Sequence, residues 1–269
     1  MQVRLLPLRQ IEENMIELDR IYNEDCLVGM QRIPDGSVDC IICDLPYEVL
    51  NKGNKHAQWD RLIPFDKLWE QYERIIKQNG AIVLFAQGMF TAKLMTSNGK
   101  LWRYNLIWKK GGRISGFLNA KKMPLREHED ILVFYKQLPT YNPQMFKGTP
   151  NHTRGKMLGE KTNRCYGNFV NAEDFISDMK YSRSVLDFPK PHPSVHPTQK
   201  PVPLIEWLIK TYTNEGELVL DNCMGSGTTA VAAINTGRCF IGFELQKEYF
   251  DIANKRIDEA RMNAITLFK

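Results

Sequence analysis

Hydrophobic residues along the chain follow two alternating patterns. Nearly continuous apolar runs at 38–43, 81–86 and 218–221 have the length and composition of strands that are covered on both faces. Between the first two runs, apolar residues recur at helical spacing from 65 to 76, and Asn79-Gly80 is predicted to end that helix. Strands that alternate with helices predict an α/β fold with a doubly wound, mostly parallel sheet.

The alternation stops after residue 136 and resumes near 204. The intervening stretch is polar, slightly basic and rich in glycine and proline. A structureless connection of this length is unusual in a compact domain unless it has a function. The chain is therefore predicted to be one domain whose two halves, 1–136 and 196–269, are separated by an inserted lobe at 137–195.

Composition narrows the class of protein only modestly. Of the 269 residues 43% are hydrophobic, and the net charge of +5 is compatible with a polyanionic partner without requiring one. No apolar stretch approaches the roughly 20 residues of a membrane span, and Glu12, Glu13 and Glu17 interrupt any signal-like pattern. The expected location is the cytoplasm, or the host cytoplasm for a phage-encoded protein, with no membrane partner.

Two of the six cysteines, Cys40 and Cys43, have the spacing C-x-x-C. A zinc site would require a second pair of ligands at matching spacing, which the sequence lacks. On a strand, residues three apart point to opposite faces of the sheet. Both cysteines are therefore predicted to be small core residues, and no metal site is predicted.

A glycine-rich turn, Gly225-Ser226-Gly227-Thr228-Thr229-Ala230, follows the predicted strand at 218–221. It fits the G-x-G-x-x-A pattern of nucleoside cofactor sites, in which glycine permits a sharp turn and close approach of the ligand. Glu244 ends the next predicted strand, where an acid can bind ribose hydroxyls. NAD shares this pattern, but Asp221 and three more residues precede the first glycine. An acid-bearing loop suits the cationic methionine end of S-adenosylmethionine better than a pyrophosphate, which repels carboxylates.

A second motif, Asp44-Leu45-Pro46-Tyr47, directly follows the buried strand at 38–43. It is therefore expected at the carboxyl edge of the sheet, where open α/β folds bind ligands. A carboxylate and a backbone carbonyl can accept hydrogen bonds from the two N–H groups of an exocyclic base amine. These hydrogen bonds draw the nitrogen lone pair out of conjugation with the ring. The Tyr47 ring can stack on a flipped base, at about 1–3 kcal/mol per base.

These motifs, in this order, resemble those of the β-class S-adenosylmethionine-dependent DNA amino-methyltransferases. In that family the catalytic motif precedes the cofactor motif, and a target-recognition region lies between them in a Rossmann-like methyltransferase fold. The resemblance covers most of residues 21–260. It includes three further segments: Asn23-Glu24-Asp25-Cys26, His128-Glu129 and His196-Pro197-Thr198-Gln199-Lys200-Pro201.

The resemblance implies roles for the cofactor-binding residues. Asp25 and Cys26 are expected near the adenine of S-adenosylmethionine, and Glu244 on its ribose. Six further residues are expected around its methionine end: Thr198, Lys200, Asp221, Ser226, Gly227 and Thr228. Gly225 is expected to bind the cofactor as part of the glycine turn.

The catalytic residues implied by the resemblance are Asp44, Pro46 and Tyr47. The chain departs from the family pattern at Leu45, where proline is usual; that side chain does not bond the base, so activity is expected to survive. It also has Asn222-Cys223-Met224 where the family often has Pro-Phe. Loss of the aromatic ring is expected to loosen the cofactor pocket.

Double-stranded DNA is the expected partner. A glycine-rich basic loop after Trp108 is a candidate for gripping phosphates, and the class often forms homodimers. The candidate DNA-binding residues of this loop are Arg113, Lys121, Lys122 and Arg126. Further basic candidates lie in the inserted lobe: Arg154, Lys156, Lys161, Arg164, Lys180 and Arg183.

By analogy with the family, Asp44 favours adenine N6 as the methylated atom, because the cytosine N4 enzymes more often have serine there. A cytosine N4 enzyme is the first alternative. A methyltransferase for RNA or for protein amide nitrogen is a second, although such enzymes usually place the cofactor motif first. A non-catalytic DNA-binding relic that keeps the basic lobe is the third.

Overall fold

The structure is a computed structural model that describes most of the chain. The described residues are 16–48, 60–112, 114, 116, 119–150, 177–193 and 199–267. They form two compact units: Met1–Asn142 together with Ser184–Lys269, and Pro143–Arg183.

The strands and helices of the described residues follow the predicted alternation. The strands are β1 Arg20–Tyr22, β2 Val38–Cys43, β3 Ile76–Ala86, β4 Trp102–Lys109, β5 His128–Phe134, β6 Phe146–Lys147, β7 Met179–Lys180, β8 Val185–Asp187, β9 Leu218–Asp221 and β10 Cys239–Phe243. The helices are α1 Cys26–Gly29, α2 Phe65–Ile75, α3 Met89–Ser97, α4 Val202–Tyr212, α5 Thr228–Asn235 and α6 Lys247–Leu267, with a 3₁₀ turn at Met30–Arg32.

The larger unit is built on a sheet with the strand order β1-β10-β9-β2-β3-β5-β4-β8. The neighbours from β1 to β3 are parallel, β5 is antiparallel to both β3 and β4, and β8 is parallel to β4. Every residue of β2 and β9 is buried, as expected for strands covered on both faces. The predicted doubly wound, mostly parallel sheet is confirmed.

The strand order places the two sequence motifs side by side. From β2 the chain continues through α2 to β3 on one side, whereas from β9 it continues through α5 to β10 on the other side. β2 and β9 pair in parallel, with Ile41 opposite Leu220. Their carboxyl ends therefore meet at the point where the direction of winding reverses, which is the usual ligand site of such sheets.

The predicted end of the second helix at Asn79-Gly80 is wrong. Helix α2 ends at Ile75, and Asn79-Gly80 lies inside β3, beside a shift in its register with β2. A Cβ atom at Gly80 would lie 2.8 Å from the carbonyl oxygen of Asp39. Glycine is needed here because a neighbouring backbone comes close, not because a helix ends.

The smaller unit is described only near its two ends. There β6 and β7 pair in antiparallel orientation, Gly148 N donates to Asp178 O at 2.6 Å, and Lys147 pairs with Asp178. The candidates Arg154, Lys156, Lys161 and Arg164 lie outside the described residues. Strand β8 lies within the predicted insertion at 137–195, yet it pairs with β4 in the larger unit.

Candidate active site

A cavity of about 580 Å³ opens where β2 and β9 end. Both motifs line it, the first through Asp44 and Pro46 and the second through the glycine turn that follows Asp221. Glu244, which follows β10, and residues of α1 complete its wall. A volume in the range of about 300–1,000 Å³ is typical of sites for small molecules and cofactors.

Asp44 leaves the end of β2 and is held by two side chains. Its Oδ1 accepts a hydrogen bond from the Tyr47 hydroxyl at 2.7 Å, and its Oδ2 forms an ion pair with the Lys200 ammonium. Burial raises the pKa of Asp44, while the nearby Lys200 charge opposes that rise. The Tyr47 ring packs against Phe90, with centroids 4.6 Å apart, and this contact helps to fix the orientation of the ring.

The turn after the tetrapeptide is held by a residue that sequence reasoning missed. Glu48 has a φ of 58°, a left-handed conformation that is uncommon for a residue other than glycine. Its backbone N–H donates to Oδ1 of the buried Asp60 at 2.9 Å. Leu45, where the family usually has proline, is buried in the apolar core. Its side chain therefore stabilises the strand end without entering the catalytic contacts.

Lys200 connects the tetrapeptide to two further buried charges. Its Nζ lies 3.3 Å from Oε2 of Glu129, and Oε1 of Glu129 lies 2.7 Å from the ammonium of Lys110. The sequence predicts Lys200 beside the methionine end of the cofactor. It does line the cavity, but its ammonium is paired with Asp44 and Glu129. Lys110 was not identified from the sequence, because a lysine at the end of a predicted strand is ordinary.

The glycine turn has the backbone conformation that only glycine adopts readily. Gly225 and Gly227 have φ values of 53° and 83°, and Gly227 immediately precedes α5. A Cβ atom at Gly227 would lie 2.9 Å from the Cβ of Ala253 on α6. Met224, at the end of the segment that replaces the family's Pro-Phe, is buried against Gly242, so the space beneath the turn is filled.

Two buried carboxylates brace this turn. Asp221 accepts hydrogen bonds from the Cys223 backbone N–H at 3.0 Å and from the Thr229 hydroxyl at 2.6 Å, and burial raises its pKa to about 6. Glu244 accepts hydrogen bonds from the backbone N–H groups of Gly225 at 2.7 Å and Gln246 at 2.8 Å. Burial also raises the pKa of Glu244. Both acids are thus held in place at the wall of the cavity.

Asp25 and Cys26 also line the cavity, at the start of α1. Asp25 caps the helix by accepting the Leu27 N–H at 2.8 Å. The Cys26 sulfur lies 3.6 Å from the Nδ2 atom of Asn222, which ties α1 to the segment after β9. The two predicted adenine contacts and the glycine turn therefore face one cavity.

Arg256 supports the glycine turn from α6. Its Nη1 donates to the Ser226 carbonyl, to the Ser226 hydroxyl at 3.0 Å and to the Thr228 hydroxyl at 3.3 Å. These bonds orient two of the predicted cofactor-binding hydroxyls. No sequence signal identifies Arg256, because it follows Ser226 by 30 residues on a helix where arginine is ordinary.

The lining of the cavity fits S-adenosylmethionine better than a dinucleotide. Its charged residues include the acids Glu24, Asp25, Asp44, Asp221 and Glu244 and the bases Arg61 and Lys200. Because the bases are outnumbered, the wall favours a ligand with a cationic sulfonium over one with an anionic pyrophosphate. The glycine turn leaves open space at Gly225, where a Cβ atom would meet no atom within 4 Å.

The basic loop before β5 is partly described. Lys121, Lys122 and Arg126 are exposed, and a hydrogen bond of 2.9 Å from Lys110 N to Glu127 O closes the base of the loop. Arg113 and Thr198, the other predicted contacts for DNA and cofactor, lie outside the described residues. Among the residues that are described, no cluster of three His, Cys, Asp or Glu side chains forms a metal-binding group. No helix in the described ranges is long and apolar enough to cross a membrane.

Comparison with known proteins adds a family match. The model of the N6/N4 methyltransferase family, described as "DNA methylase", matches residues 38–255. The type II methyltransferase M.BglII of Bacillus subtilis is 28% identical over 258 residues, which cover 88% of this chain and 68% of that protein. The DNA adenine methyltransferase YhdJ of Escherichia coli (strain K12) is 29% identical over 261 residues, covering 91% and 84%.

Solved structures share the fold. The complex of M1.HpyAVI with S-adenosylmethionine has a TM-score of 0.60 at 24% identity, covering 89% of this chain and 98% of that one. The cytosine-N4-specific PvuII DNA methyltransferase has a TM-score of 0.64 at 15% identity, covering 94% of each chain. The chain therefore shares its fold with a DNA methyltransferase that is specific for cytosine N4.

Proposed function

Because the chain belongs to the family of N6/N4 DNA methylases, we propose that it transfers a methyl group from S-adenosylmethionine to the N6 amino group of a flipped adenine in duplex DNA. Family membership confirms the predicted enzyme class, a DNA methyltransferase that depends on S-adenosylmethionine. Adenine as the target is the finer part of the proposal. One observation supports it above all: a carboxylate, Asp44, stands at the catalytic position with its orientation fixed by Tyr47 and Lys200.

Asp44 and the Pro46 carbonyl act on the target amine. The lone pair of an exocyclic amine is delocalised into the ring, so the free amine is a weak nucleophile. When the carboxylate and the carbonyl accept hydrogen bonds from its two N–H groups, the nitrogen becomes more tetrahedral. Its lone pair then becomes available to attack the methyl group. Tyr47, backed by Phe90, stacks on the extruded base and offsets the cost of its removal from the duplex. S-adenosylmethionine, when bound, supplies the electrophilic methyl group.

The remaining cavity residues bind and orient the cofactor. Glu244 would bind the ribose hydroxyls, and Asp25 and Cys26 would contact the adenine. The acids of the wall favour the sulfonium electrostatically. The methionine end would be contacted by Asp221, Ser226, Thr228 and the glycine turn, with Thr198 a predicted contact outside the described residues. Lys200, whose ammonium pairs with Asp44 and Glu129, lines the cavity and stays a predicted contact of the methionine end.

The pKa of Asp221 predicts that cofactor affinity depends on pH. Burial raises this pKa to about 6, and only the ionised carboxylate attracts the cationic sulfonium. Because binding favours the ionised form, affinity is expected to fall as the pH drops below about 6, by up to about tenfold per pH unit. Calorimetric titration with S-adenosylmethionine between about pH 5 and about pH 8 measures this. Asp221→Asn should bind more weakly at neutral pH and lose this pH dependence; an unchanged dependence would contradict the assignment.

Lys121 and Lys122, which are exposed, are expected to contribute to DNA binding in a way that depends on salt concentration. Each phosphate contact that is lost should reduce the slope of log affinity against log salt by about 0.9. The double variant Lys121→Ala/Lys122→Ala is therefore expected to bind DNA more weakly, with a slope smaller by about 1–2. Fluorescence anisotropy over a salt series measures both values. Lys67→Ala, which removes an exposed lysine from α2, is the control, and an unchanged slope in the double variant would exclude these contacts.

Mass spectrometry of nucleosides tests the proposed function. The purified protein is incubated with unmethylated genomic DNA and S-adenosylmethionine, and the DNA is then digested. New N6-methyladenine is the expected product. N4-methylcytosine would overturn the choice of base while keeping the mechanism, and neither product would overturn both. The homodimer and the cytoplasmic location stay predictions; sedimentation analysis tests the first.

A further inference from the structure

Four charged side chains form a chain that starts at the catalytic carboxylate and runs into the protein. Asp44 pairs with Lys200, Lys200 lies 3.3 Å from Glu129, and Glu129 lies 2.7 Å from Lys110. The charges alternate in sign and sum to zero. Only the first of the four belongs to the proposed catalytic motif, so the other three require their own explanation.

The chain of charges is shielded from water. The side chains of Lys110, Lys200 and Glu129 are 1%, 8% and 12% exposed, and that of Asp44 is 22% exposed. Aromatic rings form part of the surroundings: the Lys200 ammonium lies 4.9 Å from the Phe85 ring centroid. A buried charge without a partner costs several kcal/mol. Each member of the chain therefore depends on its neighbours to remain ionised.

Glu129 occupies the centre of this chain because of the β4–β5 pairing. It lies opposite Trp108 in the antiparallel ladder, and Lys110 directly follows β4. One carboxylate oxygen is committed to Lys110. The other, Oε2, is buried and accepts no hydrogen bond among the described residues, although the Lys200 ammonium is within ion-pair distance. Glu129 Oε2 therefore gives Lys200 a second carboxylate partner beside Asp44, already at ion-pair distance.

We propose that Glu129 is a positioning residue for methyl transfer, which keeps Lys200 protonated and directed at Asp44, with Lys110 as its own counter-ion. The inference rests on the proposed role of Asp44. Asp44 must be ionised to accept an N–H bond from the target amine, and in a buried site it needs a cation to remain so. When the amine approaches, Lys200 can shift towards Glu129 Oε2, which frees a lone pair of Asp44 for the amine while the ammonium stays beside both carboxylates.

The electrostatics of the surrounding groups agree with this role. Burial alone would lower the pKa of Lys200, but Asp44 and Glu129 raise it above its ordinary value. Lys200 and Lys110 hold the pKa of Glu129 below its ordinary value despite its burial. Other titratable groups of the described residues that interact with Asp44 include the Tyr47 hydroxyl, the Asp221 carboxyl and the Cys43 thiol.

The variant Glu129→Gln tests the proposal through the pH profile of the single-turnover rate at saturating DNA and cofactor. The rate is expected to fall on the order of 10²-fold, as for a slightly misplaced catalytic group. It should fall further as the pH rises from about 7 to about 10, because Lys200 loses its proton at lower pH than in the native enzyme. The affinity for S-adenosylmethionine should change less than about threefold, roughly 0.7 kcal/mol.

A second variant removes the risk that the loss of the Glu129 charge beside the buried Lys110 ammonium unfolds the protein. Lys110→Met/Glu129→Gln keeps the buried charges balanced, so its melting temperature should stay close to that of the native enzyme. Its single-turnover rate should remain low and should still fall as the pH rises. Glu73→Gln, which removes an exposed carboxylate on α2, controls for the loss of one charge.

Two results would overturn the inference. One is a folded double variant with the native rate and pH profile. The other is a rate loss that is equal at every pH and parallels a loss of cofactor binding, which would indicate a purely structural role. The native enzyme in the same assay distinguishes failure of the proposed function from failure of the proposed role of Glu129. If the native enzyme methylates no DNA, the proposed function itself is wrong, whatever the variants do.

Discussion

Replacement of Asp44 by alanine is expected to reduce the rate of methyl transfer by at least about 10³-fold, the upper range for removal of one transition-state hydrogen-bond partner. The variant lacks the acceptor that draws the amine lone pair out of conjugation. It also removes the partner of the Tyr47 hydroxyl and one of the two anions beside Lys200. Lys200 keeps Glu129 at 3.3 Å, so no buried cation is left without an anion and the fold should survive.

The measurement is a single-turnover assay with a tritiated methyl donor, combined with calorimetric binding of S-adenosylmethionine. Affinity for the cofactor should stay within about tenfold, roughly 1.4 kcal/mol, because the proposed adenosine contacts lie elsewhere in the cavity. Asp66→Ala on α2, an exposed acid, is the matched control. Full activity in Asp44→Ala would refute the catalytic assignment, provided that its melting temperature shows a folded protein.

Replacement of Gly227 by valine is expected to have the second largest effect, on cofactor binding and on stability. Gly227 has a φ of 83°, which costs a residue with a β-carbon about 1–2 kcal/mol. The new Cβ would also lie 2.9 Å from the Cβ of Ala253, and such overpacking costs about 1–3 kcal/mol more. Because α5 starts here, displacement of the turn moves Ser226 and Thr228 together.

Thermal unfolding and cofactor titration measure both effects. We expect a loss of about 2–5 kcal/mol of stability, the sum of the two costs, and cofactor affinity lower by at least about tenfold, or roughly 1.4 kcal/mol. Gly225→Ala is the matched stability control, because Gly225 also has a positive φ but open space around its Cβ position. This variant should lose only the stability that a positive φ costs a residue with a β-carbon, without the cost of overpacking. Equal losses in the two variants would show that contact with Ala253 is unimportant.

The convergence of the two motifs could be predicted from the sequence because it depends on a general property of parallel sheets. Asp44 and Asp221 each follow a buried apolar run, and the carboxyl ends of parallel strands lie at one edge. Glu244 follows a third such strand. Local patterns therefore placed both motifs at the same edge, whereas the adjacency of β2 and β9 required the strand order.

Other contacts depend on the tertiary structure alone. Lys110, Asp60 and Arg256 are ordinary residues at the end of a strand, in a loop and on a helix, and only long-range packing brings them to the site. The sequence predicts a helix end at Gly80, where the structure has β3, because glycine is required there by the close backbone of Asp39, which is distant in sequence.

The sequence by itself determined the class of fold and the order of the two motifs, and it predicted their chemistry, because these depend on residues close together along the chain. Only the tertiary structure decided which charge stands beside Asp44. Lys200, expected near the cofactor, lies 156 residues from Asp44 along the chain and pairs with it across the cavity wall. A buried ammonium stays charged only beside carboxylates. The packing of β2, β4, β5 and the segment before α4 together brings Lys200 to its carboxylates, and none of these elements does so alone.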